Sequence, residues 1–186
     1  SGTEIHSSAG TYDGFLCKYT SSGIFTWVRT WGGIGHDNAE SVAIDKDGNI
    51  YMTGVFEDVS DFDPGPETWI LTGNNWDSFL CKYDPDGEFL WATSWGGDDF
   101  SDFITYYYDT GYDLDTDSFG DIYVTGVYMD NAIMDPIFTD LTNANGKADI
   151  FLSQFGSNGV LKWTRTWGGA DGKVESTYYI DRGYGI

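Results

Sequence analysis

A pattern of short β-prone segments recurs along the sequence, and this repetition constrains the fold more than any other feature. A segment that begins at Asp13 and reads Asp-Gly-Phe-Leu-Cys-Lys-Tyr returns almost unchanged at Asp77, and a looser copy begins at Asp149. Each copy is followed by a glycine turn, a segment that ends in Trp, and a Trp-Gly-Gly triplet. The copies begin 64 and 72 residues apart. A period above forty residues indicates a chain built from similar units placed side by side.

Each unit contains four short segments that favour β-strands. In the central unit they cover residues 41–45, 50–56, 77–83 and 88–95, where aromatic and β-branched side chains dominate. Clusters of Gly and Asp separate them and are typical of hairpin turns. No long stretch shows the 3.6-residue apolar period of a helix, so helix should be minor. Four strands per unit, together with a repeated Trp, predict an all-β fold, a β-propeller segment of four-stranded antiparallel blades.

The repeat boundaries predict one propeller region, 1–186, with units at about 13–33 (partial), 34–97, 98–169 and 170–186 (partial). The chain would then supply two outer strands of one blade, two whole blades and the start of another. Because a closed ring needs about four to eight blades, two expectations stay open. The chain is part of a larger propeller, or other copies of the chain complete it.

The charge of the chain excludes several classes of partner. Nine basic residues face 30 acidic ones, for a net charge of −21. Such a surface repels the phosphate backbone of nucleic acids and anionic membranes. The apolar runs are too short for a transmembrane helix. Cations, basic proteins and neutral glycans remain as possible partners.

The two cysteines occupy the same position in successive units, at Cys17 and Cys81. Equivalent atoms of neighbouring blades lie roughly 10 Å apart, whereas a disulfide requires Cα atoms within about 7 Å. The spacing therefore predicts two free, buried thiols.

The chain resembles the seven-bladed β-propeller repeat (SBBP repeat) family of bacterial and archaeal secreted and surface proteins. The resemblance lies in the Trp31-Gly-Gly triplet, residues 45–56, the element Asp61-Phe-Asp-Pro-Gly, and residues 77–83 and 87–91. The second unit departs from it, because it keeps only Asp135 and Pro136 of that element. The resemblance implies an extracellular or cell-surface, mostly non-catalytic scaffold, and it implies no particular ligand because propellers host unrelated functions.

The favoured function is an extracellular scaffold or binding module that acts in adhesion or assembly through its blades and loops. Its partners would be a protein or glycan at the cell surface, other copies of the chain, or the rest of a larger propeller. One alternative is a polysaccharide-processing enzyme that uses Asp carboxylates on one face of the propeller. Another is a self-assembling ring or filament subunit. No catalytic residue is assigned, because no nucleophile motif accompanies His6 or His36.

The best candidate metal ligands are Glu57, Asp58, Asp61 and Asp63, four acids within seven residues. Like charges this close favour a bridging cation, and calcium prefers carboxylate oxygens. Other groups of acids, such as those at 45–49, 84–88 and 113–121, are interpreted first as caps of hairpin turns. No other cofactor is expected.

A second candidate site is a set of tyrosines outside the repeated core pattern. They lie in inserted segments and could form a partner or glycan surface, or a strand that covers a blade edge. The residues are Tyr106, Tyr107, Tyr108, Tyr178 and Tyr179.

Overall fold

The structure is a computed structural model that describes residues 5–97, 109–129, 132–133, 141–142, 148–168, 183 and 185–186. The described residues form β-strands joined by turns. The strands are β1 (Gly14–Tyr19), β2 (Phe25–Gly33), β3 (Asp37–Ile44), β4 (Ile50–Asp61), β5 (Ile70–Tyr83), β6 (Phe89–Trp95), β7 (Thr110–Thr116), β8 (Ile122–Met129), β9 (Ala132–Ile133), β10 (Leu141–Thr142), β11 (Ala148–Phe155) and β12 (Leu161–Trp167).

The strands are arranged as antiparallel four-stranded blades. The second blade is β3-β4-β5-β6 and the third is β7-β8-β11-β12, each paired in chain order. The first blade is represented by its outer hairpin, β1 and β2. β9 and β10 form a small separate hairpin. This arrangement confirms the predicted propeller segment.

The hairpin between β4 and β5 extends beyond the blade. There, Asp61 and Ser60 of β4 pair with Gly32 and Gly33 of β2, which joins the first blade to the second in one sheet. A bulge lies between Glu57 and Val59 at the point where the hairpin leaves the blade.

Side chains alternate between two apolar layers, as the pleat of a strand requires. One layer lies between the first and second blades and includes Trp31, Met52 and Phe79. The other lies between the second and third blades and includes Tyr51 and Leu80. Each layer is therefore the interface between two neighbouring blades.

Three turns between strands are capped by an aspartate in the same way. The Asp45 carboxylate accepts hydrogen bonds from the backbone N–H groups of Asp47 and Asn49, both at 2.9 Å. Equivalent bonds are made by Asp84 and Asp117 in two further turns. Burial raises the pKa of Asp45, but these bonds and one from the Asn49 side chain outweigh it, so the pKa lies below its usual value. These contacts confirm that Asp45, Asp84 and Asp117 cap turns.

Replacing Asp45 with alanine should lower the free energy of unfolding by about 1–2 kcal/mol, because it leaves two turn N–H groups without an acceptor. Urea unfolding would measure the change. Asp47→Ala is the matched control, since that carboxylate forms an exposed ion pair with Lys46 and should contribute within about 0.5 kcal/mol. Equal losses in both variants would contradict the capping role.

Both cysteines are free, and Cys81 is fully buried, as predicted. The prediction of burial is wrong for Cys17, which is only partly buried. The cause is its place in the first blade, whose outward face is open among the described residues. Within those same residues, no helix is long and apolar enough to cross a membrane.

Candidate functional site: the repeated blade interface and its exposed halves

The first interface joins the outer hairpin of the first blade to the second blade. The Trp27 ring packs on the turn that contains Gly87, where a methyl group would lie 3.0 Å from the ring. The Arg29 guanidinium donates to the carbonyl of Gly87 at 2.9 Å and forms an ion pair with Glu88 at 3.2 Å. The Lys18 ammonium donates to the carbonyl of Pro85 in the same turn. The contact therefore combines an aromatic ring with cations that bind turn carbonyls.

The same interface recurs between the second and third blades. The Trp91 ring packs on Gly159, and its Nε1–H donates to the carbonyl of Ser157 at 3.3 Å. The Lys82 ammonium donates to that same carbonyl at 3.3 Å. Trp91 and Lys82 are the repeat equivalents of Trp27 and Lys18. The chain thus uses one docking geometry twice.

One half of this interface is exposed on the third blade. The ring of Trp167, which is equivalent to the buried Trp31 and Trp95, is 52% exposed. The Arg165 guanidinium lies over the ring of Trp163, with 5.6 Å between its carbon and the ring centroid. The third blade therefore presents, toward the solvent, the Trp and Arg face that the first blade buries.

The other half is exposed on the first blade. Phe15 and Tyr19 are 66% and 58% exposed, whereas the equivalent Phe79 and Tyr83 are fully buried against the neighbouring blade. They line a groove of about 560 Å³ together with Cys17. The repeated sequences are nearly the same, so the difference in burial arises because no described strand packs against this face of the first blade.

Buried carboxylates clamp the backbone where the blades meet. Asp37 accepts hydrogen bonds from the Gly33 N–H at 2.9 Å and the Ser60 hydroxyl at 2.5 Å. Burial raises the pKa of Asp37, and the hydrogen bond from Ser60 opposes this. We call this contact the carboxylate clamp. It attaches the Trp-Gly-Gly segment to the first strand of the next blade.

The equivalent residue in the third blade is Asp109. It accepts hydrogen bonds from the Gly97 N–H at 2.9 Å and the Met129 N–H at 2.7 Å. Burial raises the pKa of Asp109 to about 7. Sequence reasoning did not single out Asp37 and Asp109, although their position at the start of the first strand of a blade and their 72-residue spacing are visible signals.

The predicted metal ligands lie at the end of β4 and in the loop that joins β4 to β5. Glu57 accepts hydrogen bonds from the backbone and ring nitrogens of His36, at 2.9 and 2.8 Å. Asp61 accepts from the N–H groups of Asp63 and Trp69. Asp63 accepts from the N–H of Gly65 at 2.7 Å.

The fourth predicted ligand, Asp58, is exposed and has a φ of 59° at the bulge. Across the described ranges, no three His, Cys, Asp or Glu residues are grouped closely enough to hold one metal ion. Calcium binding by Glu57, Asp58, Asp61 and Asp63 stays a prediction. The predicted tyrosine surface (Tyr106, Tyr107, Tyr108, Tyr178 and Tyr179) lies outside the described residues.

The blades and their repeated interface define the class of protein as a repeat-built β-propeller. Residues 26–55, which cover most of β2, all of β3 and part of β4, match the family model of the SBBP beta-propeller repeat. This segment therefore matches an SBBP repeat, in agreement with the resemblance found in the sequence.

A longer similarity extends along most of the chain. The uncharacterized WD repeat-containing protein L264 of Acanthamoeba polyphaga mimivirus is 26% identical over 197 residues, which cover 96% of this chain. The chain spans 13% of the length of that relative. Both similarities are to proteins that contain sequence repeats.

Proposed function

We propose that the protein is a non-catalytic scaffold, placed outside the cell or on its surface, that binds partners through its two exposed blade faces. The observation that carries the proposal is the exposure of both halves of an interface that the chain itself forms twice. Apolar side chains that are buried at the internal copies are open to solvent at the ends. Exposed apolar faces of this kind are typical of protein-binding surfaces.

The two exposed faces are complementary in chemistry. The third blade presents the indole of Trp167 and the guanidinium of Arg165, whereas the first blade presents the rings of Phe15 and Tyr19. The internal interfaces pair these same two kinds of face. This complementarity favours assembly by head-to-tail stacking, either between copies of the chain or with blades of the same repeat type.

The engagement of the acidic residues supports a non-catalytic role. The carboxylates of Asp61 and Asp63 accept hydrogen bonds from backbone N–H groups in their own loop. The extracellular location rests on the resemblance to SBBP repeats of secreted proteins. The net charge of −21 is suited to such a role, because mutual repulsion keeps a sheet protein with exposed apolar faces soluble.

The molar mass in solution tests the proposal. Light scattering after gel filtration should give a multiple of the 20.7 kDa chain, because stacking buries the exposed faces. Trp167→Asp should return the protein to a monomer, since it places a charge in the contact. Phe119→Asp is the matched control: Phe119 is 90% exposed in a turn, and its replacement should leave the mass unchanged. A wild-type monomer at all concentrations would contradict stacking between copies.

A further inference from the structure

We propose that the extended part of the β4–β5 hairpin binds a basic, partly apolar segment of a partner protein. We call this part, residues 57–76, the acidic arm. It carries five acidic residues and no Lys or Arg. The acidic arm belongs to the second blade, so this binding surface is separate from the faces of the first and third blades.

The first observation is an exposed apolar face on the acidic arm. Val59 of β4 pairs with Thr72 of β5, and Asp61 pairs with Ile70. Directly opposed residues point to the same face of a sheet, as do residues two apart on one strand, so these four side chains share one face. Val59 is 46% exposed and Ile70 is 51% exposed. Two β-branched apolar side chains therefore lie open to solvent beside a carboxylate.

The opposite face of the acidic arm is used within the fold. Ser60 is buried and donates to the Asp37 carboxylate at 2.5 Å, and Leu71 packs against the apolar layer between the first and second blades. The Trp69 Nε1–H donates to the carbonyl of Ala92 at 3.1 Å. These contacts fix the acidic arm on the blade and leave its outer face to bind another molecule.

The second observation is the separation of charge between the two ends of the blade. Strand β4 follows the turn at 45–49 and ends in the acidic arm, so turns and arm lie at opposite ends. Among the described residues, the basic side chains bind groups in the turns or lie over a ring of β12: they are Lys18, Arg29, Lys46, Lys82 and Lys162, and Arg165 over Trp163.

The acids of the acidic arm are left without such cations. In the part of the chain that the structure describes, no Lys or Arg forms an ion pair with them. Asp58 and Glu67 are exposed. A surface of one charge sign attracts a segment of the opposite sign and repels other partners, so the arm is complementary to a basic segment.

The third observation is a cluster of rings and one carboxylate at the base of the acidic arm. The His36 ring lies 5.3 Å from Trp76 and 5.1 Å from Tyr12, between ring centroids. Both hydrogen bonds from His36 go to Oε2 of Glu57, and its Oε1 accepts none from the described residues. The Tyr12 ring is 62% exposed. A partner arginine would pair with Oε1 and lie over this ring, since a guanidinium binds both carboxylates and aromatic faces.

The third blade shows that the fold does not require this cluster. Glu57 pairs with Trp76 across β4 and β5, and the equivalent pair across β8 and β11 is Met129 with Ala148. The third blade forms the same four strands without the carboxylate or the ring. The cluster is therefore specific to the second blade and is suited to binding.

The charge decides which occupant fits. A second copy of this chain has a net charge of −21, and its described Lys and Arg side chains are engaged at its own turns and β12. Nucleic acids and anionic lipids carry charge of the wrong sign. A neutral glycan would gain nothing from the negative charge. A basic polypeptide with apolar side chains matches both the carboxylates and the exposed face.

A labelled peptide of alternating arginine and leucine, about ten residues long, is a direct probe because it supplies cations and apolar side chains together. Fluorescence anisotropy should show saturable binding to the full chain, in EDTA so that calcium does not occupy the acids. Raising the salt from about 0.05 M to about 0.5 M should weaken binding at least about tenfold. A peptide of alternating glutamate and leucine should not bind.

Removing two charges shows where the peptide binds. Asp58→Asn with Glu67→Gln should weaken binding about fivefold or more, and asparagine tolerates the positive φ of Asp58. The matched control, Asp47→Asn with Asp86→Asn, makes the same change of net charge at exposed positions in the turns and should bind within about twofold of wild type. Equal weakening in both variants would mean that binding follows net charge alone, which would overturn the inference.

The exposed apolar face has its own test. Val59→Thr with Ile70→Thr keeps the β-branched shape and should bind the peptide about fivefold more weakly, because it removes apolar contact. The matched control, Val42→Thr with Ile44→Thr, changes the same residue types on β3, which are 54% and 65% exposed, and should bind like wild type. Undiminished binding by the arm variant would contradict the proposed contact.

The peptide titration and the molar mass measurement fail separately. Trp167→Asp alters a face of the third blade and should bind the peptide like wild type. The variants of the acidic arm should keep the wild-type molar mass. If the wild-type chain shows no saturable binding, the acidic arm is not a site for basic segments, and stacking through the blade faces is unaffected.

Discussion

Phe62→Ala should lower the free energy of unfolding by about 3–5 kcal/mol, the range typical of a deleted core aromatic ring. Phe62 is fully buried, with ring centroids 5.6 Å from Phe56 and 4.9 Å from Phe79. Its backbone carbonyl also accepts a hydrogen bond from the Tyr83 hydroxyl at 2.8 Å. Removing the ring leaves a cavity in the layer between the first and second blades. Urea unfolding followed by Trp fluorescence would measure the loss.

Phe119→Ala is the matched control for this prediction. The same side chain is deleted, but Phe119 is 90% exposed in a turn, so its loss should change stability by no more than about 0.5 kcal/mol. A loss below about 1 kcal/mol for Phe62→Ala would show that the loop does not anchor the core.

The prediction also bears on the role of the Asp61-Phe-Asp-Pro-Gly element. Its two carboxylates hold backbone N–H groups of the loop, and its aromatic ring fills the core between blades. The element therefore has a structural role in this chain whether or not its acids bind calcium. The second unit keeps only Asp135 and Pro136 of it, which lie outside the described residues.

The repeated pattern was sufficient to predict the blades. The segments predicted at 50–56 and 77–83 lie within β4 and β5, and the fold class is confirmed. The pattern did not predict the continuation of β4 to Asp61 or the start of β5 at Ile70. That extension contains Glu57, Asp58 and a bulge, and it is stabilised by pairing with Gly32 and Gly33 of a different blade. Local strand preference carries no information about such a distant partner.

The docking interface was harder to predict for the same reason. Lys18 and the carbonyl of Pro85 are 67 residues apart, and no spacing within one unit indicates that they meet. A repeat does indicate that the contact recurs, since Lys82 and Ser157 stand at the equivalent positions. The acidic residues were easier to list but harder to interpret, because turn caps and metal ligands have the same composition.

The stability of the protein should fall as the pH rises from about 4 to 7, and Asp109 should be a main cause. In the folded chain, burial raises the pKa of Asp109 to about 7. In the unfolded chain the carboxyl loses its proton near pH 4. Between these values the folded state binds more protons than the unfolded state, so the contribution of Asp109 is complete below about pH 4 and lost through pH 7.

The expected size follows from the shift of about three pKa units, which corresponds to about 4 kcal/mol at about 1.4 kcal/mol per unit. Urea unfolding at pH 4, 5.5, 7 and 8.5 would measure the wild-type slope. Asp109→Asn removes the titration, so the difference in stability between pH 4 and 7 should be smaller in the variant by about this amount. The variant should also be less stable than wild type at low pH. The N–H groups of Gly97 and Met129 donate to different oxygens of Asp109, and in asparagine one of these is an NH₂ group, which cannot accept.

The change in the free energy of unfolding with pH shows whether the Asp109 carboxyl titrates in the folded chain or acts only through its hydrogen bonds. The absolute free energy at one pH does not distinguish the two. Asp115→Asn is the control. This carboxyl lies in β7 and is exposed, so its variant should show the same change of stability with pH as the wild type. A clamp that acted only through its two hydrogen bonds would lower stability equally at every pH. If the free energies of unfolding of wild type and Asp109→Asn change with pH in parallel, the buried carboxyl is charged in the folded state. The hydrogen bonds from Gly97 and Met129 would then be bonds to a charged acceptor.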